Sequence, residues 1–147
     1  MAGFQTGTSS FALDLSKFAK KANVDMRLVV RKLAFESFKR IILRTPVDTG
    51  RARANWGVTI GSPRVGFFIE GSDKSGGATM SAAQAAVQQF DCEGSIFITN
   101  NVPYIGPLEY GSSKQAPAGM VRVTVEEMTG FLNKASIQSL KNSGGDQ

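Results

Sequence analysis

Histidine is absent from this 147-residue chain, and cysteine occurs once, at position 92. Without histidine the commonest general base is missing, and neither a Ser/His nor a Cys/His nucleophile pair can be assembled. A lone cysteine forms no internal disulfide, and one thiol with carboxylates makes a poor zinc site. Cys92 lies between Asp91 and Glu93, whose charge disfavours a thiolate, so it reads as an ordinary half-buried thiol. No apolar run approaches eighteen residues and no charged-then-apolar leader is present. The expectation is a chain that neither spans a membrane nor leaves by the general secretory route. Gly-x4-Gly-Lys-Ser/Thr is also missing, so the glycines of 71–77 read as a loop and not as a phosphate cradle.

What is present fits one domain with a real core: 41% of residues are hydrophobic. Charge is unevenly spread. Residues 1–56 hold eleven Lys/Arg and four acids, giving +7, whereas 57–147 hold six and eight, giving −2. Opposite signs in the two halves suit nucleic-acid contact or head-to-tail contact between copies.

Taken in order, residues 1–9 are small and polar with two glycines and read as a flexible arm. From Ser10 to Ala22, Phe11, Leu15, Phe18, Ala19 and Ala22 recur at helical spacing. A second helix is expected from Val24 or Asp25 to Arg44, burying Met26, Val29, Val30, Leu33, Phe38, Ile41 and Ile42. Its other face carries Arg27, Arg31, Lys32, Lys39, Arg40 and Arg44 with only Glu36 to balance them. Such a row is either a solvated face or a contact face for phosphate or an acidic neighbour.

Pro46 ends that helix, because it lacks an amide proton and clashes with the preceding turn. Asp48 or Thr49 can cap a new one, Gly50 permits a tight backbone, and Arg51, Arg53 and Trp56 follow within a few residues. This corner is expected to pack the tryptophan and present the arginines outward. Strands are expected at 57–61, at 64–70 and, as the centre of the sheet, at 93–100. A helix capped by Ser81 is expected over Thr79–Phe90, and a one-turn helix over Ile105–Tyr110 ending at Gly111. From Ala118 the valines at 121, 123 and 125 alternate as in a strand, while Val121, Val125, Met128, Leu132 and Ala135 recur as in a helix. The helical pattern is the longer, and it favours a long C-terminal helix.

The fold class is therefore α+β, a small antiparallel or mixed sheet packed by a long N-terminal and a long C-terminal helix. Residues 10–141 form the single domain, between the arm at 1–9 and a frayed polar tail at 142–147.

Two stretches then resemble a known family. Thr45-Pro-Val-Asp-Thr-Gly-Arg-Ala-Arg-Ala-Asn-Trp, and Asn100-Asn-Val-Pro-Tyr-Ile-Gly-Pro-Leu-Glu-Tyr-Gly-Ser-Ser, resemble the two signature segments of the neck or tail-completion proteins of long-tailed bacteriophages, in order and spacing. The resemblance spans about residues 20–140. It departs at Ala118-Gly119-Met120, where the family usually has a proline and an aromatic, and in the long insertion at 71–86.

The resemblance implies a structural virion protein of the neck or tail, made in the host bacterial cytoplasm, with no catalysis, cofactor or metal. It would act as a homo-oligomeric ring, sixfold or twelvefold, beside other neck, connector and tail-tube proteins, with non-specific contact to DNA in the lumen and no membrane. Pro46, Asp48, Gly50, Arg51, Arg53 and Trp56, with Tyr104, Glu109, Tyr110 and Gly111, would form a structural corner or subunit interface. The alternative is a small nucleic-acid-binding protein using the basic face of 27–44. An enzyme would have to pair Asp48, Glu70 and Glu109, which nothing but charge marks out.

Overall fold

The structure, a computed structural model, describes residues 26–66 and 71–143. The arm at 1–9, the helix at 10–22 and the last part of the strand expected at 64–70 lie outside the described residues. The described part is an α+β fold of five helices and a two-stranded antiparallel sheet. Its helices are α1 (Met26–Arg44), α2 (Arg51–Ala54), α3 (Gly77–Val87), α4 (Ile105–Glu109) and α5 (Val121–Ser143). Its strands are β1 (Trp56–Ile60) and β2 (Ile96–Asn100), paired with Trp56 opposite Asn100 and Ile60 opposite Ile96.

Helix α1 buries Phe38, Ile41 and Ile42, while Met26, Val29, Val30 and Leu33 are half-buried and Leu28 is exposed. These three join Trp56, Ala83, Ala116 and Met120 in one core cluster, against which Val58 and Ile98 of the sheet pack. Helix α1 lies against α3 and α5, and α3 also covers β1. The helix stops at Arg44 through two devices. Pro46 cannot continue it, and Thr45 turns its hydroxyl back onto the Ile41 carbonyl at 2.7 Å.

Several boundaries differ from expectation. Asp48 caps nothing: α2 starts from Gly50 in a left-handed conformation, φ 86°, with the Thr49 hydroxyl accepting from the Arg51 amide at 3.3 Å. A side chain at Gly50 would also collide with the Lys74 amide, so the loop after residue 71 needs glycine there to approach. Ser81 lies inside α3 and caps nothing. The cap is Asp73, whose carboxylate accepts from the Gly76 amide at 3.1 Å and the Thr79 amide at 2.9 Å. Residues 64–66 are not strand, so among the described residues β2 has one partner and is not the centre of a wider sheet. Cys92 is exposed, not half-buried, and holds a positive φ of 74°.

The C-terminal ambiguity resolves as helix. Its buried stripe is Met120, Thr124, Met128 and Leu132, one register away from the valines, and Val125 is 52% exposed. Thr124 takes a core position because its hydroxyl bonds the Met120 carbonyl at 2.7 Å. The helix continues to Ser143, two residues into the expected tail.

Candidate interaction site

The two signature segments meet. The β1–β2 register places Trp56 beside Asn100, and the Asn100 side-chain amide donates to the Ala52 carbonyl at 2.8 Å. Farther along, the Val47 amide donates to Gln115 Oε1 at 2.9 Å while Gln115 Nε2 donates to the Val47 carbonyl at 3.2 Å. That reciprocal pair imitates one rung of a β-ladder, made by a side chain. Between these ties lies a cleft of about 220 Å³, with 46–52 as one wall and Tyr104, Leu108, Ser113 and Gln115 as the other.

Behind the cleft the polar residues are buried and bonded. Trp56 is 6% exposed, and its indole N–H donates to the Thr45 hydroxyl at 2.8 Å. Thr45 thus serves as donor to α1 and acceptor for the tryptophan. Asn55, fully buried, donates from its side-chain amide to the Arg51 carbonyl at 2.8 Å. Arg53 does not face outward as expected. Its guanidinium donates to the carbonyls of Thr45 (3.0 Å), Lys74 (2.7 Å) and Leu43 (3.1 Å), closing the end of α1 and fastening the 71–76 loop to it.

Glu109 is 5% exposed and grips the start of α5. Its carboxylate accepts from the amides of Met120, Val121 and Arg122, each at 2.9 Å, and from Arg122 Nε at 3.2 Å. Burial opposes its ionisation, but the three amides and the guanidinium outweigh burial and hold the carboxyl below its ordinary value. Glu109 is thus the N-terminal cap of a helix that begins twelve residues later. Gly119 must be glycine, since at φ 90° any Cβ would overlap the Glu109 carbonyl oxygen. Gly111 ends α4 with φ 90°, as expected of a C-terminal glycine.

Two tyrosines stay outside. Tyr104 is 41% and Tyr110 66% exposed, the latter with the Arg122 guanidinium 4.9 Å from its ring centre. Asp48 is exposed on the cleft rim, and Arg51 is half-buried in its wall.

The basic row of α1 is not one outward face. Arg40 and Arg44 both pair with Glu127 of α5, Arg40 also pairs with Glu36 at 3.0 Å, and Arg44 Nη1 donates to Thr124 Oγ1 at 2.9 Å. Burial raises the Glu127 carboxyl, yet its bonds to the two arginines hold it below its usual value. Arg31 Nε donates to the Phe90 carbonyl at 2.8 Å, tying α1 to the end of the segment after α3. Lys32 and Lys39 are exposed, as are Lys74, Lys114 and Lys134. Arg31, Arg40, Arg44 and Arg53 thus hold the frame while Lys32, Lys39, Lys74, Lys114 and Lys134 reach solvent, as suits a rigid fork and a strongly hydrated point charge.

Thr45, Asn55, Asp73, Gln115, Thr124 and Glu127 carry this arrangement but were not singled out as site residues by sequence. Only Asn55 and Thr45 had a signal, through their place in the first signature segment. Scanned against family models, curated proteins and solved structures, the chain matches none. No group of three or more potential metal ligands occurs among the described residues, and no described helix is long and apolar enough to cross a membrane.

Proposed function

We propose that the chain is a structural virion protein of a tailed bacteriophage, a neck or tail-completion subunit that joins the tail to the capsid connector. The observation that carries this reading is the convergence of the two signature segments on a single cleft. Side chains from both, Asp48 and Tyr104, remain at its surface while their neighbours are locked underneath. An assembly surface needs a rigid base, which the buried Trp56, Asn55 and Glu109 supply here, and accessible tips, which Asp48 and Tyr104 supply.

In this reading each subunit contacts the next head to tail, the contacts close into a ring of six or twelve, and connector and tail-tube proteins dock on its rims. The work is geometric and involves no reaction. The nucleic-acid alternative is weakened because Arg31, Arg40 and Arg44 are engaged within the fold. Contact with DNA passing through a ring then rests on lysines and is non-specific.

The test is the mass of the purified protein by light scattering, alone and with the tail-tube and connector proteins of the same phage. A species of ring mass in either condition is the expected result. A monomer in both conditions, with duplex DNA binding that persists above about 50 mM salt, would transfer the assignment to the alternative.

A further inference from the structure

Among the described residues neither strand of the sheet has a second neighbour, and β2 is the more open of the two. Helix α3 packs against β1, whereas β1 is the only described element that β2 meets extensively. The Gly61 amide bonds the Ser95 carbonyl at 2.8 Å, which makes 61 and 95 a hydrogen-bonded pair of the ladder. Alternation from that pair turns the N–H and C=O groups of Phe97 and Thr99 toward β1, and those of Ile96, Ile98 and Asn100 away from it. No main-chain bond reaches these outward groups among the described residues. Residues 64 and 72, on the connection that leaves β1, are tied at the Asn100 end of the sheet, to Asn101 (3.4 Å) and to Thr49.

An open edge is ordinarily guarded by a lysine, a proline or a bulge. Here residues 94–102 carry neither charge nor proline, the pairing with β1 is one to one, and β2 itself is Ile-Phe-Ile-Thr-Asn, rich in strand formers. The register says what fits such an edge. Ile98 is both the middle residue of β2 and one of the outward three. A second β2 laid antiparallel about a twofold axis at Ile98 therefore sets Ile98 against Ile98 and Ile96 against Asn100, each facing pair exchanging two hydrogen bonds. Phe97 then stands across from Thr99, an aromatic beside a β-branched residue. Because the strand is uncharged, no like charges meet.

We propose that β2 pairs with β2 of a second copy of this chain, antiparallel about Ile98, so that two sheets of two strands become one of four. Two strands alone are marginal in water, and the pairing supplies the neighbours that each sheet lacks. The contact is isologous and complete in a pair, so it goes beyond the ring reading above and does not depend on it. Where head-to-tail contacts also close a ring, it joins two rings back to back.

The test is amide hydrogen exchange by nuclear magnetic resonance over a dilution series, with the mass followed by light scattering. Where pairs form, the amides of Ile96, Ile98 and Asn100 should exchange roughly tenfold or more slower than in the dilute monomer, while those of Phe97 and Thr99 are protected throughout. The register is read by oxidation. In a Cys92→Ser background, Ile98→Cys places two thiols about the axis with their Cα atoms roughly 5.5 Å apart, within disulfide range, whereas Ile96→Cys places them far outside it. An intermolecular disulfide should form in the first and not in the second, with unfolding curves showing both variants folded. Outward amides that are already slow in the monomer, or that stay fast at every concentration, would overturn the pairing, as would equal cross-linking of the two variants. Ring-mass species without the slowing would overturn the pairing and leave the ring reading standing. Pairs in a protein that never reaches ring mass, alone or with the tail-tube and connector proteins, would uphold the pairing and count against the ring.

Discussion

Glu109 closes three amides that a helix start leaves unsatisfied, and it does so from a different helix. Glu109→Gln keeps the size but turns an NH2 toward donors and removes the charge facing Arg122. A loss of about 1–3 kcal/mol in urea unfolding at pH 7 is expected. The pH dependence follows in sign. The carboxyl sits below its usual value of 4.5 in the folded protein, so its contribution is present above that value and fades as pH falls through the lower folded one. The Glu127 carboxyl, also lowered, acts in the same direction, discounted because it is about one-third exposed. Unfolding curves at pH 7 and at about 3.5 should differ less in Glu109→Gln than in the unmodified protein.

Among the elements, the junction between α1 and β1 is fastened by Arg53 at three carbonyls. A lysine there cannot reproduce the fork, so Arg53→Lys should cost roughly 1–3 kcal/mol in denaturant unfolding. Amide hydrogen exchange should quicken first at the end of α1 and in 71–76. This junction also shows what sequence could and could not reveal. The stop at Pro46, the strand that follows and the burial of Trp56 were legible because proline geometry and a lone tryptophan act locally. Arg53 was not, since a cation in an exposed-looking turn is recognisable as structural only once Leu43 and Lys74 stand beside it. For the same reason Asp73 escaped notice as the cap of α3 in favour of Ser81. Its loop enters the helix through left-handed Gly76, which spacing does not announce. Of the residues expected on the buried stripe of the C-terminal helix, Val125 was misplaced, because Thr124, satisfied by its own helix, took the core position beside it.

For the whole molecule, formal charge by halves proved a coarse guide. The +7 of residues 1–56 suggested a continuous basic face. Much of it is discharged against Glu36, Glu127 and main-chain carbonyls inside the fold. The two-cation clamp on Glu127 could not be found by reading α1 alone, because the partner acid lies more than eighty residues away.

The split between arginines that hold the frame and lysines that meet solvent makes the protein legible to amine chemistry. Succinic anhydride reacts with primary amines and spares guanidinium groups, replacing each cation it meets with a carboxylate. Applied here, it would rewrite the exterior while the hydrogen bonds of Arg31, Arg40, Arg44, Arg53 and Arg122 stayed untouched. The expected product keeps its far-ultraviolet circular dichroism and its near-ultraviolet tryptophan signal, and on the ring reading proposed above it should no longer self-associate into rings. Folding and recognition would then have been separated by a reagent rather than by a mutation.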